Sequence, residues 1–277
     1  MAKAKIGGNT VKVEFDEGIA WVFLNRPEKR NAMSPTLNNE MTATLEALEI
    51  DERCQILVLT GAGEAFSAGM DLKEFFRESD GKPAEEWNQI ARQAQIWQMD
   101  RLKWFPKITI AMVNGWCFGG AFNPVASCDL AVAADDATFG LSEINWGIIP
   151  AGNVLRSVAS RMREIDGLYY ALSGDTFTGK EAASMGFVKF SWPKAELKAK
   201  TRELALKLAT KNRAAARGIK HAYRKMQEMS WQGSEDYLMA KLDQLRLMDP
   251  EQGRAKGMNQ FLDDKSYRPG LGGYKRG

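Results

Sequence analysis

The stretch GWCFGGAFNP, residues 115–124, decides how the rest of the chain is read. It follows an apolar run, Ile108–Val113, that has the length and composition of a buried strand, and it leads into a segment with helical spacing. Gly119 and Gly120 mark a sharp turn or a close backbone approach, and Pro124 is compatible with a helix only in its first turn. Strand, glycine turn and helix in that order make the local unit of an α/β chain.

The same alternation extends over the first two hundred residues. Residues 11–15 and 19–24 read as a hairpin over Asp16-Glu17-Gly18, and Ser34-Pro35 announces an amphipathic helix over 37–48. A buried strand at 55–60 leads into the loop GAGEAFSAGM and a helix beginning near Asp71. A long helix is predicted over 84–104, ending before Pro106, and another short strand over 129–133. From about Ala195 the pattern becomes near-continuous helix, with Ala215, Ile219, Ala222, Met226 and Met229 on one stripe and further helices over 235–247 and 250–262. The division expected is therefore 1–194 for an α/β core and 195–277 for a helical domain with more apolar stripes than its own core needs. The closing PGLGGYKRG reads as a loose tail.

Composition excludes several classes of chemistry. The 277 residues are 44% apolar with a net charge of +3, which makes no global case for nucleic acid or membrane. No apolar stretch of signal-peptide or membrane-spanning length occurs, so a cytoplasmic protein is expected. The three cysteines, Cys54, Cys117 and Cys128, lack paired metal-ligand spacing and read as buried thiols; no metal is expected. A single histidine, His221, removes Ser-His-Asp and Cys-His arrangements unless another chain contributes. Enzymatic chemistry here must rest on carboxylates and backbone amides.

No phosphate loop is present: GAGEAF lacks the third glycine of a dinucleotide fingerprint, and GxxxxGK[ST] is absent. What remains are two turns, Ala68-Gly69-Met70-Asp71 and Gly119-Gly120-Ala121, each able to present free amides where a helix starts. Facing one cavity, they would form a donor pair for a developing oxyanion; taken singly, they are tight turns. Glu143, in SEINWG between Leu141 and Ile144 and near Trp146, would be partly desolvated and suited to proton transfer, unless it serves as a cap or an ion-pair partner.

LNRPEKRNAMS (24–34), LVLTGAGEAFSAGMDL (57–72) and IAMVNGWCFGGAFNPVASCDLAVAADDATFGLSEINWGIIP (110–150) together resemble the crotonase, or enoyl-CoA hydratase/isomerase, superfamily. WCFGGAF, FGLSEINWGI, DYLMAKLDQ and QFLDDKSYRPGL are most similar to its hydroxycinnamoyl-CoA (feruloyl-CoA) hydratase-lyases. The resemblance implies a ββα-spiral core, a C-terminal helical trimerisation domain, a homo-trimer or dimer of trimers, and CoA-thioester substrates with no separate cofactor. It implies that the amides of Met70 and Gly120 bind the thioester oxygen and that Glu143 is the acid/base.

Ordinary enoyl-CoA hydratases place a second glutamate where this chain has Asn123. The hydratase-lyases also lack it, but carry serine there. Where they use tyrosines to grip a ring hydroxyl, this chain has Phe75 and Met239; Tyr237 lies nearby in sequence but on nearly the opposite helix face, which leaves Asn123 or a differently substituted ring. Trp146 either lines the aromatic pocket or is a core indole. For CoA, the resemblance points to Lys29, to the turn from Ala68 through Met70 to Leu72, to Ser142, and to Lys265 from a neighbouring subunit. The rival readings are a simple 2-enoyl-CoA hydratase or isomerase, an inactive trimeric scaffold, and an RNA-binding protein using Arg213, Arg217, Lys220 and Arg224.

Overall fold

The computed structural model describes residues 6–268, 270 and 272–276. The start of the N-terminal stretch read for targeting character, and Pro269, Leu271 and Gly277 of the expected tail, lie outside the described residues.

The chain begins with β1 (Val11–Asp16) and β2 (Ile19–Leu24), paired antiparallel across the two-residue turn Glu17-Gly18. Both turn residues have positive φ, 44° and 83°, the conformation that matches the twist of a tight hairpin. α1 (Pro35–Ile50) starts as read from Ser34-Pro35: Ser34 Oγ accepts from the Leu37 amide and the proline occupies the first turn.

Three β-β units then follow, each placing its first strand in a large sheet and its second in a small one. They are β3 (Ile56–Gly61) with β4 (Ala65–Ser67), β5 (Ile108–Val113) with β6 (Trp116–Phe118), and β7 (Leu130–Ala134) with β8 (Thr138–Gly140); α2 (Ala84–Gln95) and α3 (Phe122–Ser127) lie between successive units. α4 (Val154–Ala159), α5 (Glu164–Ser173), β9 (Thr176–Thr178), α6 (Gly179–Ser184) and β10 (Phe190–Trp192) complete the layers. The six-stranded sheet has the order β1-β2-β3-β5-β7-β10, parallel from β2 onward. The four-stranded sheet runs β4-β6-β8-β9, antiparallel only at β8-β9. This stepwise advance of both sheets is the expected ββα spiral.

Two differences from the sequence reading have local causes. The helix predicted over 84–104 is α-helical only to Gln95; Ile96–Leu102 continues with wider π-type turns, which keep the apolar spacing while changing the backbone. The loop GAGEAFSAGM contains β4, a three-residue strand too short for an alternation pattern to reveal.

The core between the sheets and helices is aromatic. Phe122, from the first turn of α3, packs against Phe139, Phe177 and Phe187, with ring centroids 6.1, 6.2 and 4.8 Å away, and all four rings are buried. Such pairs add about 0.5–1.5 kcal/mol each beyond area burial, and they anchor α3 behind the glycine turn. The three cysteines are free and buried; burial pushes the Cys54 thiol up to about 11 and Cys117 well above its ordinary value.

The chain divides into two compact units, Met1–Leu206 and Lys207–Gly277, with the break inside α7 (Lys194–Ala209). The second unit contains α8 (Arg213–Met226), α9 (Trp231–Met248) and α10 (Gly253–Leu262). Among the described closing residues, Lys275 and Arg276 are tied down rather than loose. Arg276 pairs with Glu251 and donates to the Ala209 and Lys211 carbonyls, and the Lys275 amide donates to Gln260 Oε1 (2.8 Å). Among the described residues, no helix is long and apolar enough to cross a membrane, and no group of three or more His, Cys, Asp or Glu could hold a metal ion.

Candidate active site

The two glycine turns meet. A Cβ built on Gly69 would lie 3.2 Å from the Gly120 nitrogen and 2.6 Å from the Phe118 carbonyl oxygen, so the close approach requires glycine, as does φ +90° at that residue. A Cβ on Gly120 would in turn lie 3.0 Å from Met70 Cγ.

Both amides singled out from the sequence are positioned by local hydrogen-bond patterns. Met33 forms a parallel bridge opposite Met70, in which the Met33 amide donates to the Gly69 carbonyl (2.8 Å) and the Asp71 amide donates to the Met33 carbonyl (3.1 Å). That register skips the Met70 N–H. Gly120 is the second residue of a one-turn 3-10 helix, Gly119–Ala121, where amides have no partner within the helix.

Glu143 joins this pair from a third element. It is the second residue of the 3-10 turn Ser142–Trp146, which ends at Gly147 in a left-handed conformation (φ 71°). A Cβ on Gly119 would fall 2.8 Å from Glu143 Oε1, so the carboxyl lies directly against the glycine turn. Glu143 Oε2 is buried and, among the described residues, has no hydrogen-bond partner. Burial pushes this carboxyl above the ordinary glutamate value of 4.5.

The Met70 turn is braced by residues that sequence reasoning missed. The buried Arg26 guanidinium donates to Asp71 (2.9 Å), Glu74 (2.5 Å) and the Ala32 carbonyl (2.8 Å). Burial raises the Asp71 carboxyl, but bonds from the Glu74 amide, Arg26 and the Lys73 amide outweigh it and hold the group below its ordinary value. Asn31, buried and left-handed (φ 56°), accepts from the Arg26 amide and donates to the Ala62 and Ala65 carbonyls, each at 2.8 Å. Both residues lie in LNRPEKRN; an asparagine amid charged residues was their only local signal.

The remaining positions fall as follows. Asn123 is 2% exposed, with its amide committed: Nδ2 donates to the Gly152 carbonyl (2.7 Å), and Ser157 Oγ donates to Oδ1 (2.8 Å). Phe75 is buried in the π-type turn Leu72–Arg77, edge-on to Phe76 with centroids 5.0 Å apart. Trp146 is 67% exposed, which rules out the core-indole reading; Ile148 and Ile149 beside it are exposed too. Lys29, Ala68 and Leu72 are exposed and Ser142 is half-buried, while the Ala68 amide donates to the Arg30 carbonyl (2.8 Å). Tyr237 and Met239 on α9, and Lys265 beyond α10, belong to the second unit. In the basic stripe proposed for RNA, Lys220 is buried, so those four residues do not form one solvated face.

A buried carboxyl beside two adjacent turn amides is the equipment for moving protons on a carbonyl compound whose oxygen becomes negative. The chain belongs to the enoyl-CoA hydratase/isomerase family, whose model matches residues 14–268. It is 57% identical over 267 residues to a hydroxycinnamoyl-CoA hydratase-lyase of Pseudomonas fluorescens, covering 96% of this chain and 97% of that one. It is 31% identical to 2,3-dehydroadipyl-CoA hydratase of Escherichia coli, over 92% of this chain and 96% of that protein. The crystal structure of an enoyl-CoA hydratase from Shewanella pealeana superposes with a TM-score of 0.82 at 27% identity, covering 92% and 94% of the two chains.

Proposed function

We propose that this enzyme hydrates a trans-hydroxycinnamoyl-CoA of the feruloyl type and then cleaves the product to an aromatic aldehyde and acetyl-CoA. The observation that carries the proposal is the Glu143 carboxyl lying against Gly119, with an Oε2 that is buried and, among the described residues, unpartnered, beside the Met70 and Gly120 amides. The likeness to the Pseudomonas fluorescens hydratase-lyase supports the choice of substrate class.

Glu143 takes a proton from water as the oxygen attacks the β-carbon of the enoyl thioester. Electrons move onto the thioester oxygen, which accepts hydrogen bonds from Met70 and Gly120; Glu143 then gives the proton it took from water to the α-carbon of the enolate and returns to the carboxylate. In the second half, Glu143 removes the proton of the new β-hydroxyl. The α–β bond breaks, its electrons return to the thioester enolate in the same amide pair, and the aldehyde leaves. Glu143 returns the hydroxyl proton to the α-carbon of that enolate, which gives acetyl-CoA and restores the carboxylate. One preorganised donor pair thus serves both enolates, and each donor of this kind contributes roughly 3 kcal/mol to transition-state stabilisation.

Coenzyme A enters as part of the substrate, so the chemistry draws on no resident cofactor. Lys29, the Ala68–Leu72 turn and Ser142 would hold CoA, with Lys265 supplied by a neighbouring subunit; Phe75 and Trp146 would line the ring site. We assign the helical residues 195–277 to assembly as a homo-trimer or a dimer of trimers, supported by exposed Ile219, Leu238, Leu242 and Leu247 on α8 and α9, and place the enzyme in the cytoplasm. A hydratase that holds water between two carboxylates lacks its second one here, because position 123 is an amide bonded to Gly152 and Ser157.

Feruloyl-, coumaroyl- and crotonyl-CoA, each incubated with the enzyme and resolved by chromatography and mass spectrometry, test this reading. The aromatic thioesters should give aldehyde and acetyl-CoA. Accumulation of a β-hydroxyacyl thioester with no aldehyde would refute the lyase step.

A further inference from the structure

The geometry points to Asn123 as a positioning residue that clamps the segment carrying Glu143 to the helix carrying the Gly119-Gly120 turn. The inference rests on the assignment of Glu143 as acid/base, and it gives Asn123 no proton-transfer role.

Asn123 lies in the first turn of α3, three residues beyond Gly120, and Gly152 lies nine residues beyond Glu143. Between Glu143 and α4 the chain has little regular structure of its own. It contains three left-handed residues, Gly147 (φ 71°), Gly152 (φ 60°) and Asn153 (φ 72°), and exposes Ile148 and Ile149. Such a segment takes its position from what it is bonded to.

The bonds form one network. The Gly152 carbonyl accepts from Asn123 Nδ2 (2.7 Å) and from Gln95 Nε2 (3.2 Å); Asn153 Nδ2 donates to Gln95 Oε1 (2.9 Å), and Ser157 Oγ donates to Asn123 Oδ1 (2.8 Å). Asparagine is specified by both ends of its amide. A carbonyl can only accept, so an N–H must face Gly152, while the opposite oxygen must face the Ser157 hydroxyl. A carboxylate of the same shape would keep the second bond, lose the first, and set two acceptors against each other in a buried place. The clamp thereby keeps the acid/base and the oxyanion amides in one frame, and a reacting pair is sensitive to displacements of this scale: a shift of about 1 Å can cost roughly 10²-fold in rate.

The test uses Asn123→Asp, Ser157→Ala, Ser157→Thr and Gln95→Ala in the full-length enzyme, with feruloyl-CoA turnover and hydrogen exchange over 143–153 as readouts. Asn123→Asp and Ser157→Ala should lower kcat about tenfold, the factor a lost hydrogen bond supplies, with KM changed less than about threefold. Exchange over 143–153 should accelerate in both, and in Gln95→Ala to a smaller degree. Ser157→Thr, which restores the hydroxyl, should recover kcat and protection. Unchanged kcat and exchange in Ser157→Ala would overturn the clamp. So would an Asn123→Asp enzyme as active as its parent, because a carboxylate would then serve where the clamp requires an N–H. A parent with no turnover of any enoyl thioester would defeat the proposed chemistry, and the exchange rates alone would then decide the clamp.

Discussion

Glu143 lies so close to Gly119 that a single added carbon on the glycine would stand 2.8 Å from the carboxylate oxygen Oε1. Gly119 also has φ +48°, where an L side chain is strained. Gly119→Ala should therefore fold and bind CoA but lose at least about tenfold in kcat, through a misplaced Glu143. Steady-state kinetics beside a thermal melt check this; wild-type kcat would mean that the carboxyl is free to move aside.

The pH dependence follows from burial. Glu143 has its carboxyl pushed above 4.5, and water activation needs the ionised form. Activity is lost as pH falls through the raised value, so the acid limb of kcat/KM should have its midpoint above 4.5. Because the folded state holds this proton more tightly than the unfolded chain, Glu143 also opposes folding as pH rises from the unfolded value through the folded one. Glu143→Gln should remove that contribution, so its stability should fall less across this window, as urea melts at a series of pH values will show.

The Arg26–Asp71 pair is buried at both ends and adjoins Met70. Arg26→Ala leaves Asp71 with neither its guanidinium nor access to water, a loss of about 3–5 kcal/mol for a broken buried pair. Equilibrium denaturation measures it. The depressed Asp71 value adds a sign: its stabilisation is present above the unfolded pKa of 3.8 and is lost as pH falls through the folded one. The part of the deficit that comes from the Arg26–Asp71 pair should thus shrink in acid.

The proposed ring site places the apolar ring of Phe75 at the position where the resemblance implies a tyrosine in the lyases. Phe75→Tyr should raise kcat/KM for 4-hydroxylated over unsubstituted cinnamoyl-CoA by about tenfold, the order of one hydrogen bond. An unchanged ratio would remove Phe75 from the ring site.

What was legible in the sequence was local. Glycines at 69, 119 and 120, a proline in a first helical turn, and a glutamate among apolar neighbours each state a backbone or solvation requirement within a few residues. The family resemblance then ordered them. The braces and the clamp were not legible, because their partners lie far apart in the chain: Arg26 and Asp71 are 45 residues apart, Asn123 and Gly152 are 29 apart. A pattern of apolar spacing carries no information about such pairs. Three-residue strands such as β6 and β8 are likewise shorter than one alternation cycle, and the exposure of Trp146 depends on how its turn is held rather than on its neighbours.

The central claim is that one carboxyl moves every proton while two backbone amides hold the enolate. Glu143→Gln preserves shape but removes the base, so single-turnover measurement with feruloyl-CoA beside CoA-thioester titration tests it most directly. The account predicts binding within about threefold of the parent and turnover lowered by at least about 10²-fold, the contribution of a positioned general base. Turnover equal to the parent's would contradict it.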